Sequence, residues 1–102
     1  MRDSGVSMRD LDEMAEVFKA LSDPLRLRLL EALSKSDGAQ SKDICVCDLA
    51  DKLGVSQPNV SHHLKILKTA GLVRCERNAG FSYYQVNRQK ISESLSSLNE
   101  KL

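Results

Sequence analysis

The chain has 102 residues, 41% of them hydrophobic and 28% charged, which fits one folded domain over 1–102 and excludes a disordered, collagen-like or multidomain protein. No apolar run approaches the roughly 18 residues of a spanning helix. The opening residues, Met1 to Gly5, lack the apolar stretch of a secretory signal, so the expectation is a cytoplasmic protein with no membrane partner. Fifteen basic and 14 acidic side chains give no global charge that announces a polyanion. Their distribution says more. Between 57 and 77, Lys65, Lys68, Arg74 and Arg77 stand against Glu76 alone, a stretch able to meet phosphate. The first 23 residues set Arg2, Arg9 and Lys19 against Asp3, Asp10, Asp12, Glu13, Glu16 and Asp23, an end expected to face away from any polyanion.

In chain order, Leu11, Met14, Ala15, Phe18 and Leu21 recur at steps of three and four, the period of an amphipathic helix. Leu25 to Leu30 alternates like a strand, yet Asp23 is a good N-cap and Pro24 fits a first helical turn, which predicts a second helix with Leu25, Leu29, Leu30 and Leu33 on one face. Gly38, among the polar residues from Ser36 to Asp43, marks a loop. Ile44-Cys45-Val46-Cys47 reads as a short strand, followed by a short helix from Asp48 to Leu53 that stops at Gly54. Whether Cys47 ends the strand or starts the helix stays open.

Gly54-Val55-Ser56 is a tight turn. Ser56 can cap the next helix, whose early Pro58 lacks only an amide hydrogen that would have no helical partner. That helix is expected to run to Ala70, with Gly71 as its left-handed stop. Val60, Leu64 and Leu67 form its buried stripe, which turns Gln57, Asn59, Ser61, His62 and Lys65 outward. Such a face carries donors suited to base edges and phosphates. Leu72 to Arg77 and Phe81 to Asn87 flank Asn78-Ala79-Gly80, a hairpin signal whose first arm bears Arg74 and Arg77. Ile91, Leu95, Leu98 and Leu102 mark a last amphipathic helix. Helix, three-residue turn, helix and hairpin together predict a mostly α, α+β fold: a winged helix-turn-helix whose second helix enters the major groove.

Three ordered segments carry a family resemblance: Phe18 to Leu30, Ile44 to Ala50, and Ser56 to Leu67, within a match running from about Phe18 to Val86. They resemble the ArsR/SmtB metalloregulators. The resemblance implies a homodimeric repressor, with the terminal helices as dimer seam, that needs no cofactor to bind operator DNA and leaves it when a thiophilic ion binds. It makes Cys45 and Cys47 the inducer site, with As(III) or Sb(III) as the favoured ions. It places Ser56, Gln57, Asn59, Ser61, His62 and Lys65 on DNA, with Arg74 and Arg77 as wing contacts to phosphate. A two-fold dimer further predicts a roughly palindromic operator with half-sites one or two helical turns apart. Departures narrow the ion. Ala50 stands where arsenic-responsive members often carry a third cysteine, and no Cys or His precedes Cys45 to serve as an N-terminal-arm ligand. The last helix, Arg88 to Leu102, has no histidine for the zinc or nickel site that other members build there.

Thiolates are soft ligands that favour such ions over magnesium or calcium. A helix N-terminus should lower the thiol pKa towards a reactive thiolate. The spacing poses an obstacle, because residues i and i+2 lie roughly 6–7 Å apart along a strand and about 200° apart around a helix. Ligation is therefore expected to distort the junction. Packing is the plainer reading of each cysteine; the motif favours a sensor for Cys45 and Cys47, and filler for Cys75. His62 and His63, adjacent on a helix, cannot chelate one ion together. No glycine-rich phosphate loop or nucleophile–base arrangement argues for an enzyme. The rival readings are a redox or persulfide sensor using the same cysteines, and a protein-interaction module.

Overall fold

A computed structural model describes residues 8–35 and 45–102 of the chain. The predicted loop around Gly38, together with Ile44, lies outside the described residues. Five helices and one hairpin follow in order: α1 (Met8–Leu21), α2 (Pro24–Lys35), α3 (Val46–Leu53), α4 (Gln57–Thr69), β1 (Val73–Asn78), β2 (Phe81–Val86) and α5 (Arg88–Lys101). No described helix is long and apolar enough to cross a membrane.

The helix boundaries follow from local chemistry. Asp23 Oδ1 accepts hydrogen bonds from the amides of Leu25 (2.8 Å) and Arg26 (3.4 Å), so its carboxylate satisfies amides that the first turn of α2 leaves without helical partners. Helices α3 and α4 both end on a glycine at positive φ, Gly54 at 70° and Gly71 at 80°. In each, the two amides past the last turn fold back on its carbonyls: Gly54 to Asp51 (3.3 Å) and Val55 to Ala50 (3.1 Å), Gly71 to Lys68 (2.9 Å) and Leu72 to Leu67 (2.9 Å). A side chain with a Cβ would strain this left-handed backbone. The strands pair antiparallel, with Val73 opposite Val86 and Cys75 opposite Tyr84. A two-residue turn joins them, Ala79 (φ 54°) and Gly80 (φ 83°), the doubly left-handed turn whose twist matches a hairpin.

One core joins the elements. Leu29, Leu33, Leu49, Val60, Leu64, Leu67 and Leu72 are essentially excluded from solvent, and Val17 and Ala20 of α1 join them. The helix predicted from Leu11 to Leu21 is present, but its predicted stripe is only partly in the core. Met14, Val17 and Ala20 are the buried set, while Ala15 is exposed, Phe18 is half-buried and Leu11 keeps 47% of its surface in solvent. Leu95 and Leu102 of the last helix are likewise exposed, at 52% and 96%. Helix α1 thus buries Met14, Val17 and Ala20 and leaves Leu11 exposed, whereas α5 buries Ser94, half-buries Ile91 and Leu98 and leaves Leu95 and Leu102 exposed.

The strand expected over 44–47 is also corrected in the part described. Cys45 is extended (φ −87°, ψ 169°), but it occupies the N-cap of α3, and helix begins at Val46. The β-branched residues suggested a strand through propensity alone. Leu49 and Ala50, buried one turn later, hold the segment in helix instead, since packing overrides such preferences.

Candidate nucleic-acid interface and thiolate site

The turn Gly54–Ser56 delivers α4 with one face in the core and one in water. Val60, Leu64 and Leu67 anchor the inner face at 0% exposure. Gln57, Asn59, Ser61, His62 and Lys65, as predicted from the stripe, are all exposed. Ser56 caps the helix, its hydroxyl accepting the Asn59 amide at 3.2 Å, and it retains an O–H to donate to a phosphate. Arg74 and Arg77 are exposed on β1. The Arg74 guanidinium donates to Asn87 Oδ1 (3.3 Å). Asn87 also donates from Nδ2 to the Gly71 carbonyl (2.9 Å) and accepts the Lys90 amide (3.3 Å). One side chain thereby ties the base of the wing to the end of α4 and the start of α5. The sequence pattern did not single out Asn87 for this task.

His62 and His63 diverge as expected. His62 is exposed and His63 half-buried, with its Nδ1 3.1 Å from an Arg26 guanidinium nitrogen. Arg26 also donates Nε–H to the Ala20 carbonyl (2.7 Å) and Nη2–H to that of Lys19 (3.4 Å). The C-terminus of α1, the first turn of α2 and the middle of α4 thus meet at one guanidinium. Five donors in a fixed fork make arginine suited to such a junction.

At the start of α3, Cys45 Sγ and Cys47 Sγ lie 2.9 Å apart. The obstacle expected from regular geometry disappears because the two residues straddle a boundary: Cys45 is extended, and Cys47 belongs to the first helical turn. Neither a strand nor a helix would bring the sulfurs together, but the junction does. Asp48 Oδ2 lies 3.4 Å from Cys45 Sγ, and the three donor atoms fall within 4.8 Å of one another. Two soft sulfurs and one carboxylate oxygen form a donor set able to take a thiophilic ion. The sequence pattern assigns Asp48 no role, although its i+3 spacing from an N-cap cysteine is the available signal. Cys75 lies outside this cluster; it is half-buried on β1 opposite Tyr84.

The expected lowering of the thiol pKa is corrected for Cys47. Its hydrogen bond with Cys45, desolvation, and the neighbouring Cys45 and Asp48 charges push it above the usual thiol value, and the Asp48 amide offsets them only in part. Crowded like charges disfavour ionisation. A bound metal cation would supply the opposite charge, and the thiols would lose their protons to bind it.

A three-residue turn between helices, an outward polar helix and a following wing define a winged helix-turn-helix protein. Residues 23–74 match the family described as bacterial regulatory protein, arsR family. The chain is 36% identical to an HTH-type transcriptional regulator of Methanocaldococcus jannaschii over 91% of its own length and 99% of that protein's. It is 37% identical to the arsenical resistance operon repressor of Staphylococcus xylosus, over 85% of this chain and 81% of the relative. The solution structure of the homodimeric winged helix-turn-helix DNA-binding domain of a possible ArsR-family regulator from Mycobacterium bovis superposes with a TM-score of 0.71 at 26% identity. That alignment covers 96% of this chain and 89% of the other. The chain belongs to the arsR family of bacterial regulatory proteins, the ArsR/SmtB transcriptional repressors.

Proposed function

We propose that the chain, as one DNA-binding unit over 1–102, is a homodimeric repressor of a palindromic operator, released when arsenite or antimonite is taken up by Cys45 and Cys47. The observation that carries the ion reading is the 2.9 Å approach of the two sulfurs, with Asp48 beside them. Dimerisation is supported by the exposed apolar side chains at the two ends of the chain, Leu11 with Leu95 and Leu102, and by the homodimeric structural relative. Ser56, Gln57, Asn59, Ser61, His62 and Lys65 are assigned to the major groove, and Arg74 and Arg77 to phosphates beside it.

The switch is short-range. Cys45 and Cys47 open the helix whose next turn buries Leu49 and Ala50 in the core that Val60 and Leu64 of α4 share. Any shift of α3 therefore moves the DNA-reading helix. A hundredfold loss of operator affinity needs about 2.7 kcal/mol of coupling. Arsenite, uncharged at neutral pH, would exchange two of its hydroxides for the two sulfurs, each thiol proton leaving with a hydroxide as water, and the two new bonds would fix Cys45 to Cys47 across the start of α3.

The test is operator binding followed by fluorescence anisotropy, with reduced protein titrated with arsenite. Wild type should release the DNA, and the Cys45→Ser/Cys47→Ser double variant should bind it and stay bound. Equal release of both proteins would overturn the thiolate site. The same sulfur contact supports a second reading, in which an oxidant removes two electrons and the two thiol protons leave as a Cys45–Cys47 disulfide forms. Release by diamide without any ion, reversed by dithiothreitol and lost in the double variant, would identify it.

A further inference from the structure

A groove of about 580 Å³ runs beside the outward face of α4, between that helix, the end of α1 and the start of α2. Its floor is Ala20, Ile66 and Ala70. Around it stand Lys19, Arg26, His62 and Lys65, with Glu16 as the opposing carboxylate. His62 and Lys65 are already assigned to DNA, so the groove continues that face sideways onto α1. We propose that it is a second phosphate-contact surface for duplex DNA, in which Lys19 of α1 reaches a backbone phosphate flanking the bases that α4 reads. This rests on the DNA-binding function proposed above.

Two physical features favour a phosphate there. Charge is the first. Three permanent cations line the groove against one acid, and Lys19 is exposed on the last turn of α1. The acids Asp10, Asp12 and Glu13 belong to the first half of that helix, and six residues from Glu13 to Lys19 span about 9 Å of helix axis. The repulsion expected of the acidic N-terminal end therefore applies to the start of α1 more than to its end.

Preorganisation is the second feature. The carbonyls of Lys19 and Ala20 would present the negative end of α1 to an approaching anion. The Arg26 guanidinium covers both, at 3.4 and 2.7 Å, and a further guanidinium nitrogen lies 3.1 Å from His63. Its charge is thus fixed at the groove before DNA arrives, and the end of α1 is held against α4. Arg26 acts as a positioning residue, and Lys19 is the contact.

The experiment is a salt titration of binding, on operator duplex and on an unrelated duplex, with wild type, Lys19→Ala, Lys19→Arg and Glu16→Gln. In the homodimer Lys19→Ala removes two phosphate contacts, one per subunit, which should lower the slope of log K against log salt by about 1.8 and weaken binding about sixtyfold at 0.1 M salt. The loss should be alike on both duplexes, because phosphate contacts carry no sequence information. Lys19→Arg should keep the wild-type slope, and Glu16→Gln should strengthen binding to both. Lys35→Ala, at the far end of α2 where Lys35 pairs with Glu31, should leave the slope unchanged. A Lys19→Ala protein with wild-type slope and affinity would overturn the groove as a DNA surface. Absence of salt-dependent duplex binding by wild type itself would instead overturn the underlying DNA-binding function. Alanine at an exposed helix position keeps the helix, and an unchanged unfolding midpoint separates lost contact from lost fold.

Discussion

The two helices of the helix-turn-helix begin in nearly the same backbone conformation and use it differently. Ser56 (φ −74°, ψ 153°) turns its hydroxyl onto the Asn59 amide and caps α4. Cys45 (φ −87°, ψ 169°) makes no side-chain cap on α3; its sulfur lies against Cys47 and Asp48 instead. An N-cap oxygen typically contributes about 1 kcal/mol. The start of α3 forgoes that stabilisation and presents a donor set for an ion. The helix proposed to read DNA is fixed at its origin, whereas the helix proposed to sense the inducer is left weakly fastened. Elements that move in a switch belong to the less stable part of a fold.

Cys45→Ser puts the two helix starts to the most severe test. One exchange should remove the response and improve the helix at once. Arsenite should shift operator affinity about a hundredfold in wild type, equivalent to about 2.7 kcal/mol of coupling, and less than about threefold in the variant. Urea unfolding of the same variant should show a gain of about 0.5–1 kcal/mol, because serine caps the same extended residue. A variant that loses the response without any gain in stability would break the trade between cap and ligand. The converse change is Ser56→Ala. It should cost about 1 kcal/mol in urea, and arsenite should still release whatever DNA the variant binds. If Ser56→Ala abolished release as Cys45→Ser does, the two helix starts would not have separate tasks.

Sequence logic reached α4 more fully than α3 for the same reason. Ser56, Pro58 and Gly71 each have one strong backbone preference, and the stripe Val60, Leu64 and Leu67 has a helical period, so cap, start, stop and outward face were all legible. Cysteine has no capping signature, and Ile44-Cys45-Val46-Cys47 carries β-propensity that only tertiary packing reverses. The sulfur approach was hidden because it exists at a boundary between two conformations and in neither alone. The i+3 spacing of Asp48 from Cys45 was legible, but it marks a donor only once Cys45 is known to be the N-cap. In α1, Val17 and Ala20 lie one position short of Phe18 and Leu21, and only the packing against Leu29 and Leu64 decides which of the two stripes faces the core. Of the predicted stripe Leu11 and Ala15 stay exposed, while Met14 is buried and Leu21 packs against the core.

Helix α2 offers the third kind of start and the smallest expected effect. Asp23 caps it with a charge, which makes the cap titratable where that of Ser56 is not. Desolvation acts to raise the Asp23 carboxyl, but the Leu25 and Arg26 amides and the nearby Arg26 and His63 charges outweigh it, so the group sits below its ordinary value. A carboxylate depressed in the folded state contributes stability that is complete above the unfolded value, near about 4, and disappears as pH falls through the folded one. The Asp23→Asn substitution would keep a cap of comparable geometry, but the amide would neither titrate nor attract Arg26. Thermal unfolding of the two proteins from pH 7 to about pH 2.5 should therefore show a wild-type advantage at neutral pH that closes only below about pH 4. An advantage that stayed constant into acid would mean that hydrogen-bond geometry alone fastens α2, and that its charge does nothing that the Ser56 hydroxyl does not do for α4.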